Sequence, residues 1–286
     1  GGQEFFYGKL GQITKVIRTV LISSVFYASY VSEQEYDTWN RIQKMSYPDG
    51  ETVSYRYNRA GSLLSMQGSK AGQNYNYVDQ VGYDEFDDKV YLKYGNGTET
   101  HYGYDSLRRR LTTLQTLTKS GSFMMNNKYT YDAEDNIAGI LNSAVAMAGK
   151  LGGHAKQEYK YDNLYRLTNA SGRYEGSKDT AAYDLEMGYD NLFNIINKKL
   201  SNKAPPKSYD LPYSYSGTGP HQATQIGDKK LRYNLNGNLT NYGNTEYYWD
   251  EENRLIALVD SGLQSEYTYD ARGERVIKSS GGVQST

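Results

Sequence analysis

The chain has no cysteine among its 286 residues. Thiolate metal sites, a cysteine nucleophile and a disulfide framework are therefore excluded. Five prolines beside 29 glycines rule out collagen-like and proline-rich sequence. Neither charge sign dominates: 32 Lys and Arg meet 33 Asp and Glu, for a formal charge of -1. The chain thus lacks the positive field of a nucleic-acid binder and the charge run of an acidic tail. Its longest apolar stretch, around Val20–Tyr30, is shorter than the roughly 20 residues a membrane-spanning helix needs. The chain opens Gly1-Gly2-Gln3 without Met; the expectation is an internal fragment of a larger protein, with no secretory leader of its own. Aliphatic residues are also scarce. The hydrophobic share is 37%, and 31 of those residues are tyrosine. Disordered chains are poor in aromatics, so this composition points to an ordered protein that buries rings with wet hydroxyl tips.

What the chain does have is internal repetition, the feature to seek first. The recurring string is an aromatic, usually Asp or Asn, two or three variable residues, a turn former or Arg, then an aliphatic. It begins at Tyr36-Asp37, Tyr57-Asn58, Tyr83-Asp84, Tyr104-Asp105, Tyr131-Asp132, Tyr161-Asp162, Tyr189-Asp190, Tyr233-Asn234, Trp249-Asp250 and Tyr269-Asp270, with a worn copy at Tyr7-Gly8. The long gap between Tyr189 and Tyr233 suggests a degenerate unit around Tyr213-Ser214-Tyr215-Ser216-Gly217.

The physical meaning of one unit follows from its pattern. Aromatics alternate with polar residues ahead of the motif, as in Tyr55/Tyr57, Tyr102/Tyr104, Tyr129/Tyr131, Tyr159/Tyr161 and Tyr267/Tyr269. A period of two places both rings on one face of a strand. The interleaved Lys128, Thr130, Lys160, Glu266 and Thr268 then face the other way. Asp or Asn after the second ring bonds its own backbone two residues on and starts a turn. Gly or Asn next accepts a positive φ, and the aliphatic opens the return strand. Pro48-Asp49-Gly50 and Asn96-Gly97 supply turns at the opposite end. The fold class is therefore all-β: a long antiparallel sheet of hairpins. Two strands per unit give more strands than an open twisted sheet holds without curling, so the sheet is expected to coil into a spiral or shell segment. Residues 1–286 read as one repeat region. Asn142–Lys156 reads as a loop insertion with one helical turn, and Gly176–Thr180 and Ser201–Lys207 as loops.

Other chemistry is thin. His101, His154 and His221 lie 53 and 67 residues apart, far from metal-ligand spacing, and read as exposed strand and loop residues. The acidic clusters Asp84-Glu85…Asp87-Asp88, Asp132…Glu134-Asp135 and Asp250-Glu251-Glu252 sit inside the repeat's own turns and lack a calcium-loop signature. Arg108-Arg109-Arg110 reads as a solvated strand start. Gly217-Thr218-Gly219-Pro220 lacks the Lys and amide donors of a phosphate loop. No catalytic residue, cofactor or metal site is expected.

These repeats resemble the YD repeat, and the chain is similar to Rhs/YD-repeat proteins: bacterial Rhs proteins, the C component of insecticidal toxin complexes and the teneurin-like YD shell. The likeness runs from about Tyr7 to Val276. It implies a hollow β-shell that encloses a toxic C-terminal polypeptide and helps deliver it, in a secreted or cell-surface bacterial protein. The implied partners are the remaining repeats and core region of the same polypeptide, the enclosed toxin and a secretion-system component, with no nucleic acid and no membrane span. The family's self-cleaving core carries an Asp-Pro-x-Gly stretch; Asp is never followed by Pro here, so no protease residue is placed on this chain. The alternative from another class is a cell-surface adhesion module that binds carbohydrate through exposed Tyr rows. For any single Tyr, a place in a cross-strand ladder is the plainer expectation.

Overall fold

The structure is a computed structural model that describes residues 2–23, 26–146, 153–202, 208–217, 219–270, 272–281 and 283–285. None of the described residues is helical. The strands run in chain order as β1 (Gly2–Tyr7), β2 (Ile13–Ser23), β3 (Phe26–Tyr36), β4 (Ile42–Ser46), β5 (Thr52–Tyr57), β6 (Leu63–Lys70), β7 (Gln73–Tyr83) and β8 (Lys89–Tyr94). They continue as β9 (Glu99–Tyr104), β10 (Leu111–Leu117), β11 (Phe123–Tyr131), β12 (Ile137–Asn142), β13 (His154–Tyr161), β14 (Leu167–Glu175), β15 (Thr180–Tyr189) and β16 (Ile195–Asn202). The last are β17 (Tyr209–Ser214), β18 (Gln225–Ile226), β19 (Lys229–Tyr233), β20 (Leu239–Tyr242), β21 (Thr245–Trp249), β22 (Leu255–Asp260), β23 (Leu263–Tyr269), β24 (Arg275–Ser280) and β25 (Val283–Ser285).

The chain divides into two compact units, one of residues 1–158 and 172–181, the other of 159–171 and 182–286. In the first, each strand from β1 to β12 pairs antiparallel with the next. In the second, the same meander runs from β15 to β25. The ladder shifts register at the motif ring in copy after copy, between Glu35/Tyr36, Arg56/Tyr57, Thr130/Tyr131, Gly188/Tyr189 and Thr268/Tyr269. Such a bulge bends the strand and re-aims the ring.

Period-two alternation holds along the strands. In β11 and β23 the rings Tyr129, Tyr131, Tyr267 and Tyr269 are half-buried, while Lys128, Thr130, Glu266 and Thr268 are exposed. In β13, Tyr159 and Tyr161 alternate with exposed Lys160. The motif rings are half-buried rather than enclosed. A buried apolar cluster is formed by Val78, Val81 and Leu92 in the first unit, with Met66, Tyr83 and Tyr102 against it.

Asn96-Gly97 turns as expected between Tyr94 and Thr98, in a three-residue loop in which only Gly97 has positive φ, at 83°. One loop expectation needs revision. The connection after β12 is shorter than 142–156, since Asn142 ends β12 and His154–Lys156 open β13. Residues 147–152, part of the stretch 142–156 expected to hold a helical turn, and 203–207 lie outside the described residues.

Candidate functional site

The candidate site is the recurring turn itself, taken as a row. Asp37 shows the local chemistry. Its Oδ1 accepts the amides of Trp39 at 2.9 Å and Arg41 at 3.0 Å, and Oδ2 accepts Arg41 Nε at 2.8 Å. The Asp37 amide donates to the Arg41 carbonyl at 2.9 Å, and the Asn40 amide to the Asp37 carbonyl at 3.0 Å. The same pair of amide bonds, to the residues two and four beyond, recurs at Asp84, Asp132, Asp162, Asp190, Asn234, Asp250 and Asp270. At Asn58 the Ser62 amide makes the second of these bonds. An Asx side chain at this position closes the turn with a short acceptor that a longer side chain cannot aim. The left-handed position falls on Asn40, Gly61, Asp87, Asp135, Gly237, Asn253 and Gly273, and also on Tyr165 and Phe193, at φ 61° and 67°.

In copy after copy the motif ring ties its repeat to the one before it. The hydroxyl of Tyr36 donates to the carbonyl of Ile13, Tyr57 to Ile42, Tyr83 to Leu63, Tyr104 to Lys89, Tyr131 to Leu111, Tyr189 to Leu167, Tyr233 to Ala223 and Tyr269 to Leu255, at 2.6–3.0 Å. Trp249 does the same through Nε1, to Leu239 at 2.7 Å. The acceptor is nearly always the residue that opens the previous unit's return strand. The hidden unit is found by this bond: Tyr215 donates to Ile195 at 3.0 Å. The signal available in the sequence was the Tyr213/Tyr215 alternation; the missing Asp obscured it. Burial is the first cause that raises the ring pKa values, as at Tyr57, Tyr131 and Tyr233, and it pushes Tyr55 to about 12. These hydroxyls stay protonated and remain donors.

Arginine fills the space between an Asp and the next ring. Arg41 pairs with Asp37 and lies over Tyr57 at 4.4 Å. Arg110 pairs with Asp105 and lies over Tyr131, Arg166 with Asp162 and over Tyr189, and Arg254 with Asp250 and over Tyr269. A planar guanidinium can satisfy a carboxylate at its edge and an aromatic with its face. The triple arginine is therefore not a solvated strand start. It lies in a turn one residue longer than the others, with Arg109 at φ 57°. Arg109 reaches back to Asp84 and Asp88, while Arg108 and Arg110 reach forward to Asp135, at 2.5 and 2.6 Å. The amide of Arg108, then the Arg110 guanidinium, hold the Asp105 carboxyl far below its usual range. Partial burial opposes ionisation of Asp84, but Arg109 and two amides prevail and lower its pKa.

The acidic clusters are thus occupied by the turns and their arginines. Among the described residues no group of His, Asp and Glu is arranged to hold a metal ion. His101 lies beside the Tyr91 ring at 5.0 Å, and His221 Nδ1 contacts Asn194 Oδ1 at 2.9 Å. At the opposite end of the first unit, Tyr75 and Tyr77 both donate to Glu51 Oε1 and cross edge to face. Gly68 lies beneath them; a Cβ there would meet Tyr75 Cε2 at 2.5 Å, so the rings require that glycine.

This geometry defines a class: an all-β repeat protein whose hairpins are closed by Asx turns and chained by ring-to-carbonyl bonds. No family model matches the chain, but individual relatives do. Toxin subunit YenC2 of Yersinia entomophaga is 30% identical over 268 residues, 80% of this chain and 28% of that protein. The tRNA nuclease WapA of Bacillus subtilis (strain 168) is 26% identical over 250 residues, 85% of this chain and 10% of that protein. A crystal structure of TcdB2-TccC3 without its hypervariable C-terminal region matches 97% of this chain and 16% of its own, at TM-score 0.71 and 18% identity; the complex TcdB2-TccC3-Cdc42 gives 0.70. These relatives and the shared fold bear out the resemblance to Rhs/YD-repeat proteins. It spans about a tenth of WapA and between 14% and 28% of the Yen subunits.

Proposed function

We propose that this segment is wall: part of a β-shell that encloses a C-terminal toxin or effector and helps deliver it outside the cell. The observation that carries this reading is the chained bond. Within each compact unit, motif ring after motif ring finds its acceptor in the preceding repeat, so the structure grows by adding hairpins and needs no closed core. That is the quasi-one-dimensional logic of repeat proteins, and it suits a wall whose length is set by its cargo. The relatives support the reading, being toxin subunits and nucleases by name. The segment is read as non-catalytic because its motif carboxylates are engaged in turn closure, which leaves them no free role as acid, base or ligand. The test is limited proteolysis of the full-length polypeptide that carries this segment. Protection of the C-terminal region, lost when Tyr131 and Tyr189 are replaced by Ala, supports a wall; a C-terminal region cut as fast in the intact protein as when expressed alone refutes it.

A second reading, carbohydrate adhesion, is favoured by the half-exposed Tyr75 and Tyr77 beside Glu51. A ring face with a carboxylate beside it suits a sugar. Glycan binding abolished by Tyr75→Ala and Tyr77→Ala together would establish it.

A further inference from the structure

In the second unit, three successive hairpin ends border a cavity of about 660 Å³. They are the turn before β19 at Asp228, the β20–β21 turn at Gly243-Asn244, and the end of β22 at Asp260-Ser261. Lys229, Lys230 and Arg232 line it, with Asn241 and Thr245.

Some strand lysines of the first unit face a carboxylate directly across the ladder: Lys15 with Glu33 at 3.3 Å, Lys44 with Glu35 at 3.1 Å, Lys93 with Glu99 at 3.0 Å. Arg232 stands across from Asn241, and Lys230 across from Gln225. Neither cation has an ion pair among the described residues. They are two apart on one strand, so both project on one face about 7 Å apart. Lys229 is held aside, its ammonium 4.7 Å from the centre of the Tyr242 ring. The Asn241, Asn244 and Thr245 side chains border the same space and make no side-chain hydrogen bond among the described residues. Two unneutralised cations and neutral donors in a concavity make a receptor for negative charge.

We propose that this cavity binds a compact tetrahedral oxyanion, phosphate or sulfate, between Lys230 and Arg232. Compactness follows from the acids at its two sides. Asp228 leads into β19 and Asp260 ends β22, three ladder spacings away, or about 14 Å. A single oxyanion sits between them, whereas an extended polyanion runs into one or the other. A phosphate monoester carries the same chemistry as the free ion, and the two sources are separated by the titration below.

The experiment is calorimetric titration of this chain with inorganic phosphate, with glycerol phosphate and with tripolyphosphate. Phosphate should bind, and Lys230→Gln with Arg232→Gln should raise Kd at least about tenfold, the loss expected for charge-assisted bonds of this kind. Lys44→Gln should change nothing, and Asp260→Asn should tighten binding. Unchanged far-UV circular dichroism of the double variant shows that it is folded. Glycerol phosphate tighter than phosphate identifies an esterified ligand; equal affinity identifies the free ion. No phosphate heat with the wild-type chain, equal affinity in the double variant, or tripolyphosphate binding more than about tenfold tighter than phosphate would overturn the proposal.

Discussion

The copy at Tyr104 and the copy at Tyr215 do the same job with opposite means. At Tyr104 the turn is rich in charge: Asp105 accepts the amides of Leu107, Arg108 and Arg110, and three arginines link it to turns on both sides. At Tyr215 there is no Asp; Ser216 and Thr224 meet through their hydroxyls at 3.0 Å instead. Yet both rings donate to the preceding unit, Tyr104 to Lys89 and Tyr215 to Ile195, at 3.0 Å. The ring carries the bond between units. The acid carries only the shape of its own turn, and that shape can be made in other ways.

The comparison breaks if the rings are dispensable, so the largest effect is expected there. Tyr131→Ala removes a half-buried ring, its bond to Leu111 and the platform for Arg110. It should cost about 2–3 kcal/mol, less than a fully buried aromatic because part of the ring is already wet. Tyr215→Ala should cost about 2 kcal/mol in its charge-free setting. Tyr131→Phe and Tyr215→Phe isolate the hydroxyl and should each cost about 1 kcal/mol. Urea unfolding at constant m measures all four. A Tyr215 pair that proves neutral beside a costly Tyr131 pair would show that the acid, not the ring, unites the units.

Why the ring's role was only half legible is a matter of scale. Alternation and Asx chemistry act within six residues, so the strand faces, the turn at each Asp and the hidden unit near Tyr215 could be read from sequence. The acceptor of each hydroxyl lies 10–23 residues away and is a main-chain carbonyl, which has no residue signature. Arg108–Arg110 read as a strand start but lie in a turn, and their partners Asp84, Asp88 and Asp135 lie in other turns of the chain. Tyr165 and Phe193 at positive φ were invisible because their identity argues against that conformation.

The charges come next, and they sharpen the comparison because only one of the two turns has them. Arg109→Gln leaves Asp84 and Asp88 facing each other without a cation. The unfolding midpoint should fall at low salt, and the loss should shrink as salt screens the repulsion. No such dependence is expected for Ser216→Ala. The pH dependence has a fixed sign. The Asp105 pKa is lowered in the folded state, so its stabilisation is fully present above the unfolded value near 3.9 and is lost as pH falls from there towards the folded value. Asp105→Asn should therefore flatten the acid limb below about pH 4; an unchanged limb would show that Asp105 titrates alike in both states.

The smallest effect should be a gain. Copies that place Asn or Gly at the left-handed position follow the backbone's preference, as Asn40 and Gly61 do. Tyr165 and Phe193 oppose it, and their rings are exposed by 61% in both cases, so little burial offsets the strain. A non-glycine residue there costs about 1–2 kcal/mol, and Asn recovers part of that through local hydrogen bonding. Phe193 does keep one contact, with the Arg166 guanidinium 5.0 Å from its ring centre, worth about 0.5 kcal/mol at an exposed site. The balance favours Phe193→Asn by about 0.5 kcal/mol. Asn40→Phe, the reverse change in a relaxed turn, should destabilise by about 1 kcal/mol. The pair is informative because the signs differ. If Phe193→Asn also destabilises, the ring holds its turn through contacts stronger than the stacked guanidinium, and the turn shape at Tyr189 is set by the ring as well as by Asp190.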